Sequence, residues 1–156
     1  MSANKAVTPQ QYAGETPSRR RTVDFFVVVA ADKVKYHQLI KKAIKKLGLN
    51  HMVSSVFNGE QLLSLLLKKD FYHTEHAGEP DVILLDLTMP VMDGVEVLRN
   101  IRENPELNGL KVWVLNEHSD KLQVQAAEDL GVEGFTELPF TEEKILAALH
   151  QIRAAR

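Results

Sequence analysis

The chain has 156 residues, 26% of them charged and 44% hydrophobic, with a formal net charge of -2. That is enough for one domain with a normal core, and so balanced a charge gives no pull toward nucleic acid or a membrane surface. The absence of cysteine excludes disulfides and thiolate metal sites and fits a cytoplasmic protein.

The first segment, "MSANKAVTPQQYAGETPSRRR", is polar and holds two prolines. Residues 1–22 are expected to form a flexible tail, with Arg19, Arg20 and Arg21 as a solvated basic cluster. No stretch here is hydrophobic enough for a secretion signal, and the run Phe25 to Ala31 is too short to span a bilayer.

From Val23 the pattern alternates. "DFFVVVA" predicts a buried strand, being short, apolar, and rich in β-branched and aromatic residues. "DKVKYHQLIKKAIKKLGLN" predicts a helix with Ile40, Ala43, Ile44 and Leu47 on one face and Gly48 at its C-cap. "HMVSSVF" predicts a second strand. Asn58 is placed to cap the helix "GEQLLSLLLKKD", and "FYHTEHAGEP" is a polar loop. "DVILLD" predicts a third strand. A helix "GVEVLRNIREN" follows, capped by Asp93, with Pro105 just beyond. "KVWVLN" predicts the fourth strand. Ser119 is placed to cap "DKLQVQAAEDL", and Gly131 closes it. "EGFTEL" predicts a fifth strand, and Thr141 is placed to cap "EEKILAALHQIRAAR".

Near-continuous apolar strands alternating with helices imply a parallel sheet covered on both faces. In such sheets the chemistry gathers at the carboxyl ends of the strands. Asp86 ends the third strand and therefore stands on that rim. A carboxylate there is able to ligate Mg²⁺, act as a base or accept a phosphoryl group.

The stretch "DVILLDLTMPVMDG" inside this pattern resembles the receiver domain of bacterial two-component response regulators. The motif is an aspartate ending a strand, then Met89-Pro90 and Met92-Asp93-Gly94 before a helix. "ENPELNGLKVWVLN" and "GVEGFTELPF" fall where that family has its fourth and fifth strands. The loop over 70–80 resembles that of small stand-alone receivers that pair with phytochrome-type kinases. The resemblance implies a flavodoxin-like doubly wound (βα)5 domain over residues 23–156. It also implies phosphorylation of Asp86 by a histidine kinase or phosphotransfer protein, followed by a conformational switch.

Several expected groups differ. Ala30 and Ala31 stand where the resemblance implies the acidic pair that holds Mg²⁺. Asp32 comes next, but a one-residue offset along a strand reverses side-chain direction. Asn116 replaces a serine or threonine, Glu117 a small residue, and Leu138 the lysine that pairs with the phosphoryl group. Pro139, which in the family often follows a cis bond, and the switch aromatic Phe135 are kept. Thr88, two residues past Asp86, completes the positions beside the phosphoryl site. Mg²⁺ thus loses most of its ligands, leaving Asp86 with Asp32 as the remaining metal candidates. The lost acids and lysine together suggest a more apolar rim.

Two readings follow from the resemblance. One is an atypical receiver with impaired Mg²⁺-dependent phosphorylation, acting through protein contacts. The other is a working acceptor helped by Asp32 or Asn116. An enzyme reading has little support. An aspartate-nucleophile phosphatase needs a second acid at Thr88, and no glycine-rich phosphate loop exists. The six histidines do not cluster at metal spacing.

The first predicted helix carries Lys41, Lys42, Lys45 and Lys46, with Lys33 and Lys35 near its start. By the resemblance, kinases or phosphotransfer proteins dock on this helix. The fourth helix, fifth strand and fifth helix are then the face for a homodimer, offering Lys121, Gln125, Glu128, Phe135, Lys144 and His150. No further domain is expected after Arg156, so output passes through protein contacts.

Overall fold

The computed structural model describes residues 23–67, 78–117 and 121–155. The tail expected over 1–22, the histidines at 73 and 76, and the cap at Ser119 lie outside the described residues. Five strands alternate with five helices among those described. They are β1 (Phe25–Ala30), α1 (Val34–Lys45), β2 (His51–Val56), α2 (Gly59–Leu67), β3 (Val82–Asp86), α3 (Gly94–Glu103), β4 (Val112–Asn116), α4 (Lys121–Leu130), β5 (Gly134–Glu137) and α5 (Glu142–Ala154).

All pairings are parallel, in the order β2-β1-β3-β4-β5. The alternation implied a parallel sheet, and the order is the flavodoxin-like one that the resemblance implied. β1 and β3 are buried at every residue, as expected for central strands covered on both faces. β2 is an edge strand and only half-buried, which explains the serines in "HMVSSV".

Side-chain alternation divides the core into two layers. Phe25, Val27, Val29, Leu84 and Trp113 face α1 and α5, where they meet Ile40, Ile44, Ile145 and Leu149. Phe26, Val28, Ile83, Leu85 and Val114 face the other way, onto Leu62, Leu98, Ile101 and Ala127.

The helix starts follow the capping chemistry read from the sequence. Asn58 Oδ1 accepts from the Gln61 amide at 2.8 Å, and Gln61 Oε1 accepts from the Phe57 amide at 2.7 Å. Asp93 caps α3 through the Glu96 amide at 2.9 Å, and Thr141 caps α5 through Lys144 at 3.1 Å. Gly48 and Gly131 both take positive φ past their helices, as an αL stop requires. The Leu138–Pro139 bond is cis.

Candidate functional site

Strand order puts β3 between β1 and β4, so the residues leaving those neighbours flank Asp86. Asp86 is fully buried, at 0% exposure. Its Oδ1 accepts from the Thr88 amide at 2.9 Å. Among the described residues, Oδ2 is buried without a hydrogen-bond partner. Burial above all, with Glu117 and Asp32 adding to it and the Thr88 amide and Lys33 opposing, raises the carboxyl to about 7.

The motif glycine has a steric reason. A Cβ on Gly94 would lie 2.5 Å from Leu87 Cα and 2.7 Å from the Asp86 carbonyl oxygen. The turn that delivers Asp86 to the rim thus packs directly against the start of α3.

Three carboxylates meet here. One oxygen from each of Asp32, Asp86 and Glu117 lies within 4.8 Å of the others. The alternation that would turn Asp32 away does not apply, because β1 ends at Ala30 and the chain turns toward the rim. The rim also carries more charge than the substitutions at Ala30, Ala31 and Leu138 suggested, because Lys33 supplies a cation. Its Nζ lies 2.9 Å from Glu117 Oε1 and 2.8 Å from Oε2, and 3.7 Å from Asp32. The Tyr36 hydroxyl donates to Glu117 Oε2 at 3.0 Å. Burial first, then Glu117, raises this phenol to about 12. The hydrogen bond to Glu117 likewise raises the Lys33 ammonium.

The other expected site residues are distributed around this cluster. Ala30 and Ala31 are fully buried, their methyls in the core. Asn116 ends β4, half-buried, opposite Glu137 of β5. Thr88 is exposed and contributes its amide. Leu138 is half-buried just before the cis bond. Phe135 is half-buried and packs on the core layer of α2, α3 and α4. Glu137, a further carboxylate at the end of β5, is exposed and lies outside the acidic cluster.

His37 is a further contributor that the sequence did not flag. Its Nε2 lies 2.8 Å from the Ala31 carbonyl and its Nδ1 lies 2.9 Å from Ser55 Oγ. A carbonyl only accepts, so Nε2 carries the proton and Nδ1 accepts from the hydroxyl. Burial lowers its pKa, so the ring is neutral and ties α1 to the end of β1 beside Asp32.

The chain matches the family described as the response regulator receiver domain over residues 27–150, and it belongs to that family. It is 28% identical over 129 residues to a probable chemotaxis protein CheY of Rhizobium etli, covering 83% of this chain and 92% of that protein. Response regulator Rcp1 of Synechocystis sp. is 29% identical over 106 residues, covering 68% of this chain and 71% of that one. Among solved structures, the phosphorylated cyanobacterial phytochrome response regulator RcpA superposes with a TM-score of 0.70 at 26% identity, covering 83% of this chain and 91% of its own. The Mn²⁺-bound form of Rcp1 superposes with a TM-score of 0.69 at 25% identity, covering 83% and 92%. Receiver domains are signalling modules of two-component systems that exchange phosphoryl groups with histidine kinases or phosphotransfer proteins. Among the described residues no helix is long and apolar enough to cross a membrane.

The donor set has the chemistry for a hard divalent cation, since all three candidate ligands are carboxylate oxygens and one of them is buried without a partner. Lys33, however, already binds Glu117.

Proposed function

We propose that this chain is an atypical cytoplasmic receiver, with residues 23–156 as its domain and 1–22 as a tail, in which Mg²⁺-dependent phosphorylation of Asp86 is impaired and signalling runs through protein contacts. The observation that carries this reading is the burial of Asp86 beside an acidic cluster already served by Lys33. Phosphoryl transfer to a carboxylate depends on neutralising the charge that gathers at the transferred group. By the resemblance, methyls at Ala30 and Ala31 replace an acidic pair and Leu138 replaces the phosphoryl-binding lysine, so that Asp32 is the one acid brought to Asp86 from the end of β1. A raised Asp86 pKa also leaves part of the population protonated near neutral pH, and a carboxylic acid is a poor nucleophile.

The partner proposed is a histidine kinase or phosphotransfer protein docking on the exposed Lys41, Lys42 and Lys45 of α1. Likeness to phytochrome response regulators favours a phytochrome-type kinase. A homodimer through α4, β5 and α5 belongs to the same proposal.

A second reading has one observation in its favour. Asp32, Asp86 and Glu117 approach closely enough to hold Mg²⁺, which would neutralise charge during transfer to Asp86. Amide chemical shifts during titration with beryllofluoride and Mg²⁺ separate the two. The proposal expects no saturable shifts at Asp86, Thr88 or Asn116. Saturable shifts there would favour the conventional acceptor.

A further inference from the structure

We propose that Lys33 is a built-in counter-ion that excludes divalent metal from the pocket of Asp32, Asp86 and Glu117; this rests on the impaired-site reading above. The three carboxylates concentrate negative charge in a pocket whose Asp86 Oδ2 lacks a partner among the described residues. Such a pocket attracts a cation, and the chain supplies one covalently.

Lys33 is well placed for this. Its ammonium lies 2.8–2.9 Å from both oxygens of Glu117, the residue that would also have to bind a metal. A second cation on that carboxylate meets direct repulsion from the ammonium. The ammonium is also held in place. Its Nζ lies 5.6 Å from the Tyr36 ring centroid, and that ring is fixed edge-on against Phe140 at 4.8 Å. Tyr36 donates to the same Glu117 carboxylate, so Glu117 is oriented from two sides. His37 anchors the Ala31 carbonyl, fixing the turn that carries Asp32 and Lys33. The lysine is thus part of an ordered arrangement linking the ends of β1 and β4.

Removing the ammonium leaves the same ligands with one more uncompensated negative charge. Metal uptake should then rise, even though no ligand has been added. Replacing Lys33 by arginine should retain the block, because a guanidinium keeps the charge and reaches a carboxylate in a bidentate fashion.

The test is Mn²⁺ binding to the full chain, read from the paramagnetic resonance signal of the free ion at neutral pH and low salt. Lys33→Met and Lys33→Ala are expected to bind one Mn²⁺ at least about tenfold more tightly than the unsubstituted chain. Lys33→Arg should bind as weakly as the unsubstituted chain, and Asp32→Asn added to Lys33→Met should abolish the gain. Circular dichroism verifies folding of each variant. If folded Lys33→Met and Lys33→Ala bind no more tightly than the unsubstituted chain, the inference is overturned and the impaired-site reading stands. Tight Mn²⁺ uptake by the unsubstituted chain overturns both.

Discussion

Tyr36 donates its hydroxyl to Glu117 at 3.0 Å, joining α1 to the residue that follows β4. A hydrogen bond to a charged group contributes about 1.5–3 kcal/mol, and Glu117 keeps Lys33 when the phenol is lost. Tyr36→Phe should therefore cost about 1 kcal/mol in urea unfolding. In an ultraviolet titration Tyr36 should ionise late, at about 12, and Glu117→Gln should lower that midpoint. A Tyr36 midpoint at the ordinary value of 10.0 would contradict this contact.

Asp86 makes stability depend on pH. Its carboxyl titrates at about 7 in the fold, against about 4 in the unfolded chain. Between these values the folded state holds a proton that the unfolded chain has released, so stability falls as pH rises through that window. Below the window both states are protonated and the effect vanishes. Above it the penalty is complete and amounts to up to ~4 kcal/mol. Asp86→Asn cannot ionise, so it should gain on the parent chain between about pH 4 and pH 8. Parallel stability curves across that range would refute the assignment.

Arg102 fastens the end of α3 to the segments that lead into β4 and β5. Its guanidinium donates to the carbonyls of Leu130, Gly131, Asn108 and Leu110, the shortest bond being 2.7 Å. A lysine carries three donors on one nitrogen and cannot reproduce that fork. Arg102→Lys should cost roughly 1.5–3 kcal/mol, measured by chemical denaturation. A cost below ~0.5 kcal/mol would mean that water replaces the guanidinium freely.

Gly94→Ala tests the close approach of α3 to the acceptor turn. The added methyl would meet the backbone of Asp86 and Leu87 first, with the Leu87 side chain next at 3.0 Å. The expected loss is roughly 1–3 kcal/mol, with a lowered melting temperature and shifted amide resonances at Asp86 and Thr88. An unchanged melting temperature would show that the turn yields without cost.

The fold was largely legible because its signals are local. β1 and β3 lie inside the sheet and read as unbroken apolar runs. Asn58, Asp93 and Thr141 announced their helices through short capping patterns that the structure reproduces. Asp86 was legible as a rim residue because strand ends in parallel sheets point to one edge. The electrostatics of the rim were not legible. Lys33 and Glu117 are 84 residues apart in sequence, and nothing local joins them. The direction of Asp32 was misjudged because alternation was carried past Ala30, where the strand stops. A usable signal did exist. Strand order places the residues after β1 and β4 on either side of β3, so opposite charges at Lys33 and Glu117 are candidates for a pair across Asp86.

The central claim is that Asp86 is poorly served for phosphoryl transfer. Its most direct test is the intact mass of the full chain after incubation with acetyl phosphate and Mg²⁺, with Asp86→Asn as control. The account predicts no phosphoryl adduct on the unsubstituted chain. A phosphoryl adduct on the unsubstituted chain that disappears in Asp86→Asn would contradict it and make this a conventional acceptor.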